Sequence, residues 1–181
     1  SPQFLDVDAP LAATRAVPIA VTRPGSAEPV ELRLDPSNRG LETVFGVSRQ
    51  ENGRWDHWLD PADKIGYVRL AAAESGSELA FSRAIQSLNS RGARGLVLDL
   101  RWCPGGYLDP LFRIAGTLLP AGKPAALLRT RATAEPQPRG TEPTALRWRG
   151  RHILVLVNGQ TTGGGELLAA ALQDSGSQVV V

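Results

Sequence analysis

The chain has 181 residues, 42% apolar and 21% charged, enough for one hydrophobic core and an appendage. Its net charge of +2 comes from basic residues scattered along the sequence, which argues against a nucleic-acid-binding face, and no apolar run reaches the roughly 20 residues of a membrane helix. A single cysteine, Cys103, excludes an intramolecular disulfide and a cysteine-based zinc cluster, and nothing indicates another metal or an organic cofactor.

Residues 1–16 show no period and no charged-then-apolar secretion signal. The complete absence of methionine predicts that the chain is part of a longer protein. The first strand is VPIAVT from Val17, followed by a turn at Arg23-Pro24-Gly25-Ser26 and a second strand, PVELRL from Pro29, together a hairpin. A polar stretch from Asp35 to Gly40 separates this β-rich segment, 1–40, from a second region, 41–181. There TVFGV at Thr43 and the aromatic cluster Trp55, His57 and Trp58 precede the strand IGYVRL at Ile65. Ser75 with Glu78 predicts a capping box; Phe81, Ala84, Ile85 and Leu88 share one helical face, and Gly92 ends the helix.

Leu96, Val97 and Leu98 form an unbroken apolar run, the pattern of a strand covered on both faces. The turn CPGG then leads into a helix carrying Leu108, Leu111, Phe112, Ala115 and Leu118. AALLR at Ala125 predicts a strand, and the stretch from Thr133 to Pro143 predicts an exposed loop able to act as a flap. ILVLVN from Ile153 runs into GQTTGGGE and a helix bearing Leu167, Leu168, Ala171 and Leu172, which ends at Asp174-Ser175-Gly176 before the strand QVVV. Repeated β-α units with short turns predict an α/β fold with right-handed crossovers and a mostly parallel sheet. Its functional loops should lie at the carboxyl ends of the strands, after Leu100 and after Asn158.

Both loops are rich in backbone amides that no Cβ shields, and both open a helix, so they could converge on one carbonyl oxygen. Gly105, Gly106 and Gly164 are the candidate donors. Thr161 and Thr162 carry hydroxyls, though threonine at a helix start is more often a cap than a nucleophile. Cys103 beside a helix N-terminus would have a lowered pKa, yet a lone cysteine is more often a small buried hydrophobe. His57 and His152 are both distant in sequence from these loops, and His152, at the start of a buried strand, reads as structural. Asp99 and Arg101 predict a structural ion pair. GGGE lacks the Gly-Lys-Ser/Thr string of a nucleotide-binding loop and follows no G-x-G-x-x-G, so its glycines either bring the helix start close to its neighbours or mark a vestigial active site.

IGYVRL, the LDLR-x-x-PGG run ending at Gly106, and the N-x-x-T-x-x-x-x-E run from Asn158 to Glu166 stand in one order across residues 44–181. Together they resemble the core of the C-terminal processing (tail-specific) serine peptidases, related to tricorn protease and in fold to ClpP and the crotonases. The resemblance implies a ClpP/crotonase-like core, a polypeptide substrate or peptide ligand, a Ser/Lys mechanism, an extracytoplasmic or periplasmic setting and, for the N-terminal hairpin, the end of a PDZ domain. It also allows a homo-oligomer. Aligning Asn158 and Glu166 puts the family's nucleophilic serine at Gly163. The family's general-base lysine would fall beyond Val181, and the two lysines present, Lys64 and Lys123, lie upstream. The expectation is a peptidase core without its cleavage chemistry; the alternative is a pseudoprotease that binds peptides or scaffolds partners. A crotonase-like acyl-thioester enzyme has less support, since no positioned carboxylate is evident.

Overall fold

Alternation and helical period settle into two units, Ser1–Arg39 and Gly40–Val181, in a computed structural model that describes residues 17–22, 25, 28–34, 41–120, 122–131, 135–139, 145–150, 152–175 and 179–180. In the first unit, β1 (Val17–Val21) and β2 (Val30–Leu34) form the expected antiparallel hairpin, with Val17 opposite Leu34 and Val21 opposite Val30.

The second unit is built on a six-stranded sheet. Its central strands are β7 (Ile65–Leu70), β8 (Gly95–Asp99) and β11 (His152–Leu156), all parallel, with β12 (Val179–Val180) parallel at the outer edge of β11. Two short strands, β3 (Val44–Phe45) and β6 (Trp58–Asp60), pair antiparallel with opposite ends of β7. The sheet is therefore mixed and mostly parallel, as expected of repeated β-α units. Outside it, β4 (Ser48–Arg49) pairs with β5 (Trp55–Asp56), and β9 (Ala126–Leu128) with β10 (Gln137–Arg139).

Three helices supply the other half of the core: α1 (Ser77–Ser90), α2 (Leu108–Leu118) and α3 (Gly163–Asp174). The predicted face of α1, Phe81, Ala84, Ile85 and Leu88, is buried against Val68 and Leu70 of β7 and Leu96 and Leu98 of β8 within one cluster. From α2 come Leu111, Ile114, Ala115 and Leu118, and from α3 come Leu168, Ala171 and Leu172. Each fully buried leucine of this kind contributes about 1.5–3 kcal/mol relative to exposure. On β11, Ile153 and Val155 are buried whereas His152 and Leu154 are exposed, so this strand alternates.

The structure corrects four local expectations. No capping box starts α1: the cap position is Gly76, in the left-handed conformation at φ 90°, and Ser77 instead turns its hydroxyl inward to Thr43 Oγ1 at 2.6 Å while accepting the Glu74 amide at 2.8 Å. Part of the stretch read as a loop from Thr133 to Pro143 is β10, an exposed strand that accommodates Pro138 because it has only one partner; residues 133–134 and 140–143 lie outside the described residues. Leu108, at the first position of α2, is exposed. His152 is not structural by burial, since its ring is solvent-exposed.

Candidate functional site

Parallel pairing of β8 with β11, Asp99 opposite Leu156, brings the loops after Leu100 and after Asn158 to the same edge of the sheet. Side chains then tie them together. Thr161 Oγ1 donates to the Leu100 carbonyl at 2.8 Å and accepts the Asn158 amide at 3.0 Å. Asn158 Oδ1 accepts the amides of Trp102 at 3.0 Å and Gln160 at 3.2 Å, and the Thr162 amide donates to the Cys103 carbonyl at 3.0 Å. Asn158 therefore stands at the junction of both loops, a role that no local pattern announces.

The glycine run lies directly on the CPGG loop. A Cβ at Gly163 would come within 2.7 Å of the Pro104 carbonyl oxygen, one at Gly164 within 3.1 Å of Gly105 Cα, and one at Gly165 within 2.5 Å of the Cys103 carbonyl oxygen. Gly163 also sits at φ 53°, in the left-handed region that favours glycine. The start of α3 can approach this closely because these side chains are absent.

The sequence-predicted donors divide. Gly105 is buried, and its amide donates to the Cys103 sulfur. Gly106 and Gly163 are exposed, Gly164 is half-buried, and among the described residues no hydrogen bond takes up the amide of any of these three. Unpaired amides at a helix start and in an adjacent glycine turn suit a carbonyl or carboxylate oxygen.

Of the hydroxyls and the thiol, Thr161 is occupied as described, and Thr162 holds the cap position of α3 without a side-chain capping bond. Cys103 is 0% exposed; burial pushes its thiol above the ordinary value, and the bond from Gly105 opposes this only in part. The lowered pKa expected from a helix N-terminus is thus reversed by desolvation. His57 places Nδ1 against the Tyr67 carbonyl at 3.1 Å, and its pKa is lowered chiefly by burial. His152 and Lys64 stand at the amino ends of β11 and β7, a strand length of about 17–20 Å from the paired loops.

Beside this edge is a buried polar cluster. Asp99, 1% exposed, receives Arg101 through Nε at 2.9 Å and through a terminal nitrogen at 2.7 Å, and accepts the Tyr67 hydroxyl at 2.7 Å. Burial alone would raise the carboxyl, but the bonds from Arg101 and Tyr67 outweigh it and hold its pKa below the ordinary value. Burial and the bond to Asp99 raise the Tyr67 phenol. The expected Asp99–Arg101 pair is present; Tyr67 as its third member could not be read from spacing.

If Thr161 is the staple between the loops, Thr161→Val should cost about 2 kcal/mol, because its loss leaves the Asn158 amide without its acceptor and the Leu100 carbonyl with the Cys103 amide alone. Thr162→Val, at an exposed hydroxyl without a capping bond, should stay within about 0.5 kcal/mol of the parent. Urea midpoints of the two variants provide the comparison.

Comparison with known proteins gives a consistent result. The model of Peptidase family S41 matches residues 64–181. The carboxyl-terminal-processing protease of Synechocystis sp. is 33% identical over 115 residues, covering 64% of this chain and 26% of that protein. The carboxy-terminal processing protease CtpB of Bacillus subtilis is 24% identical over 166 residues, covering 92% of this chain and 32% of the relative. In structure, the photosystem II D1 C-terminal processing protease superposes with a TM-score of 0.57 at 26% identity, over 90% of this chain and 42% of that one. The chain therefore spans about a quarter to a third of the length of these curated relatives.

Proposed function

The chain belongs to peptidase family S41, that of the C-terminal processing serine peptidases, and from this membership we propose that it holds polypeptide at the paired loops without cleaving it by the Ser/Lys route. The observation that carries the reading is Gly163. At the position that the family motif gives to the nucleophile there is no hydroxyl, the backbone is left-handed, and the Pro104 carbonyl occupies the space a Cβ would need. What survives of such a site is its binding half: the amides of Gly106, Gly163 and Gly164, free among the described residues, which alone retain only a small part of the acceleration of a serine peptidase. A ClpP/crotonase-type core is part of the same proposal.

The test is incubation of the purified chain and of its Gly163→Ser variant with an unfolded polypeptide, such as reduced and carboxymethylated α-lactalbumin, and with a fluorophosphonate probe. The parent is expected to bind the polypeptide by fluorescence anisotropy, to release no fragments detectable by mass spectrometry and to take up no probe. Gly163→Ser should melt lower than the parent, because its side chain arrives at a strained φ and against the Pro104 carbonyl. Cleavage or probe uptake by the parent, or failure of the parent to bind the polypeptide, would overturn the proposal.

A further inference from the structure

Trp102 is held in a conformation that its residue type disfavours. Its φ is 59°, where a bulky side chain is a rare outlier costing about 1–3 kcal/mol unless neighbours enforce it. Here the enforcing partner is Asn158 of the second loop, whose Oδ1 accepts the Trp102 amide, while the next residue, Cys103, closes the turn onto the Leu100 carbonyl at 3.0 Å. The indole gains little burial in return: Trp102 is 55% exposed. Two guanidiniums flank the ring, Arg101 at 5.5 Å and Arg69 at 5.9 Å from its centroid. They differ in availability. Arg101 is committed to Asp99, whereas Arg69 Nε is buried without a hydrogen-bond partner and no ion pair of Arg69 is found among the described residues.

A strained backbone, an exposed aromatic ring and a cation lacking its acceptor thus coincide at the carboxyl end of β7 and β8. Trp102 lies two residues before Pro104, whose carbonyl oxygen occupies the space beside Gly163. A guanidinium without an acceptor among the described residues can take a carboxylate on its remaining donors. Tryptophan and arginine are also the residue types enriched among the side chains that carry most interface energy.

Building on the polypeptide-holding reading above, we infer that Trp102 and Arg69 form a side-chain subsite selecting a polypeptide segment with an apolar residue adjacent to an acidic one. The apolar side chain lies on the indole, and the carboxylate reaches the Arg69 guanidinium. Arg101 keeps its place on Asp99 while lying within cation–π reach of the ring. Asn158 acts on this subsite only as a positioning residue, through the Trp102 backbone.

Three fluorescein-labelled peptides of equal length, alike except for a central Leu-Glu, Leu-Gln or Leu-Lys pair, test the inference by anisotropy titration against the parent chain, Arg69→Gln and Trp102→Asn. Asparagine removes the ring yet enters the left-handed region readily, so Trp102→Asn should fold with a melting temperature close to the parent's. The parent is expected to bind the Leu-Glu peptide about tenfold more tightly than the Leu-Lys peptide. Arg69→Gln should erase that preference while retaining binding, and Trp102→Asn should weaken all three peptides about tenfold or more. Equal binding of the three peptides by the parent, or undiminished binding by Trp102→Asn, overturns the subsite and leaves the polypeptide-holding reading standing. Failure of the parent to bind any of them overturns both.

Discussion

Gly105→Ala is expected to cost about 4 kcal/mol of unfolding free energy and to lower the melting temperature by about 10 °C, an unusually large loss for a single added methyl group. Two separate penalties combine. Gly105 lies at φ 94°, where an L side chain strains the backbone by about 1–3 kcal/mol. Its Cβ would also lie 2.7 Å from Gly164 Cα and closer still to the Gly164 amide nitrogen, an overlap with rigid backbone of the kind that costs a further 1–3 kcal/mol or so. Two other glycines separate these terms. Gly53→Ala, at φ 77° with nothing within 4 Å of the new Cβ, should show the strain alone, about 1 kcal/mol. Gly159→Ala, which meets nothing within 4 Å and has no positive φ, should be neutral or slightly stabilising through the unfolded chain. Urea melts of the three variants should therefore rank Gly105 far above Gly53 and Gly53 above Gly159. If Gly105→Ala melts like Gly53→Ala, the close contact of the two loops is not a constraint on stability.

That contact bears on what sequence can reveal. The α1 face, the buried run of β8, and the meeting of two loops at one sheet edge were all legible, because each follows from a local period or from the topology of parallel β-α units. Errors arose where a long-range partner displaced a local rule. Ser75-x-x-Glu78 satisfies the capping-box pattern, yet Ser77 is drawn inward by Thr43, 34 residues away, and the helix starts behind a glycine instead. β10 was obscured by Pro138, since a proline looks like a loop signal until a single-sided partner such as β9 is known.

In the site, residue types were readable and their states were not. Cys103 could be read as a thiol activated by a helix terminus or, more often for a lone cysteine, as a small buried hydrophobe; its burial decides for the second. Asn158 and Thr161 were motif letters until their bonds to Trp102 and Leu100 showed how they join the loops. The left-handed Trp102 leaves no trace in composition, since nothing short of coordinates distinguishes it from any surface tryptophan.

Asp99→Ala should destabilise the chain by about 3 kcal/mol, because the buried carboxylate is the shared acceptor of Arg101 and Tyr67 and its removal leaves both donors in need of new partners. The loss stays below that for a fully buried ion pair, as the Arg101 side chain is 42% exposed and can return to water. The pH dependence identifies the source. In the parent the Asp99 pKa is depressed by folding, so its contribution is complete above the ordinary carboxyl value near about 4 and is lost as pH falls through the lower, folded value. Asp99→Asn has no proton to gain, so its stability deficit relative to the parent should shrink as pH is lowered through that window. Arg101→Gln removes the largest bonds opposing burial but leaves the Tyr67 hydroxyl and the residue 101 amide on Asp99, so the folded pKa moves upward towards the ordinary value and the stability lost on acidification should be smaller than in the parent. Urea melts of the parent, Asp99→Asn and Arg101→Gln at pH 7, 4 and 3 separate these cases. A deficit for Asp99→Asn that is constant with pH would mean that the hydrogen bonds to Asp99, and not its charge, hold the edge of β8 against β7.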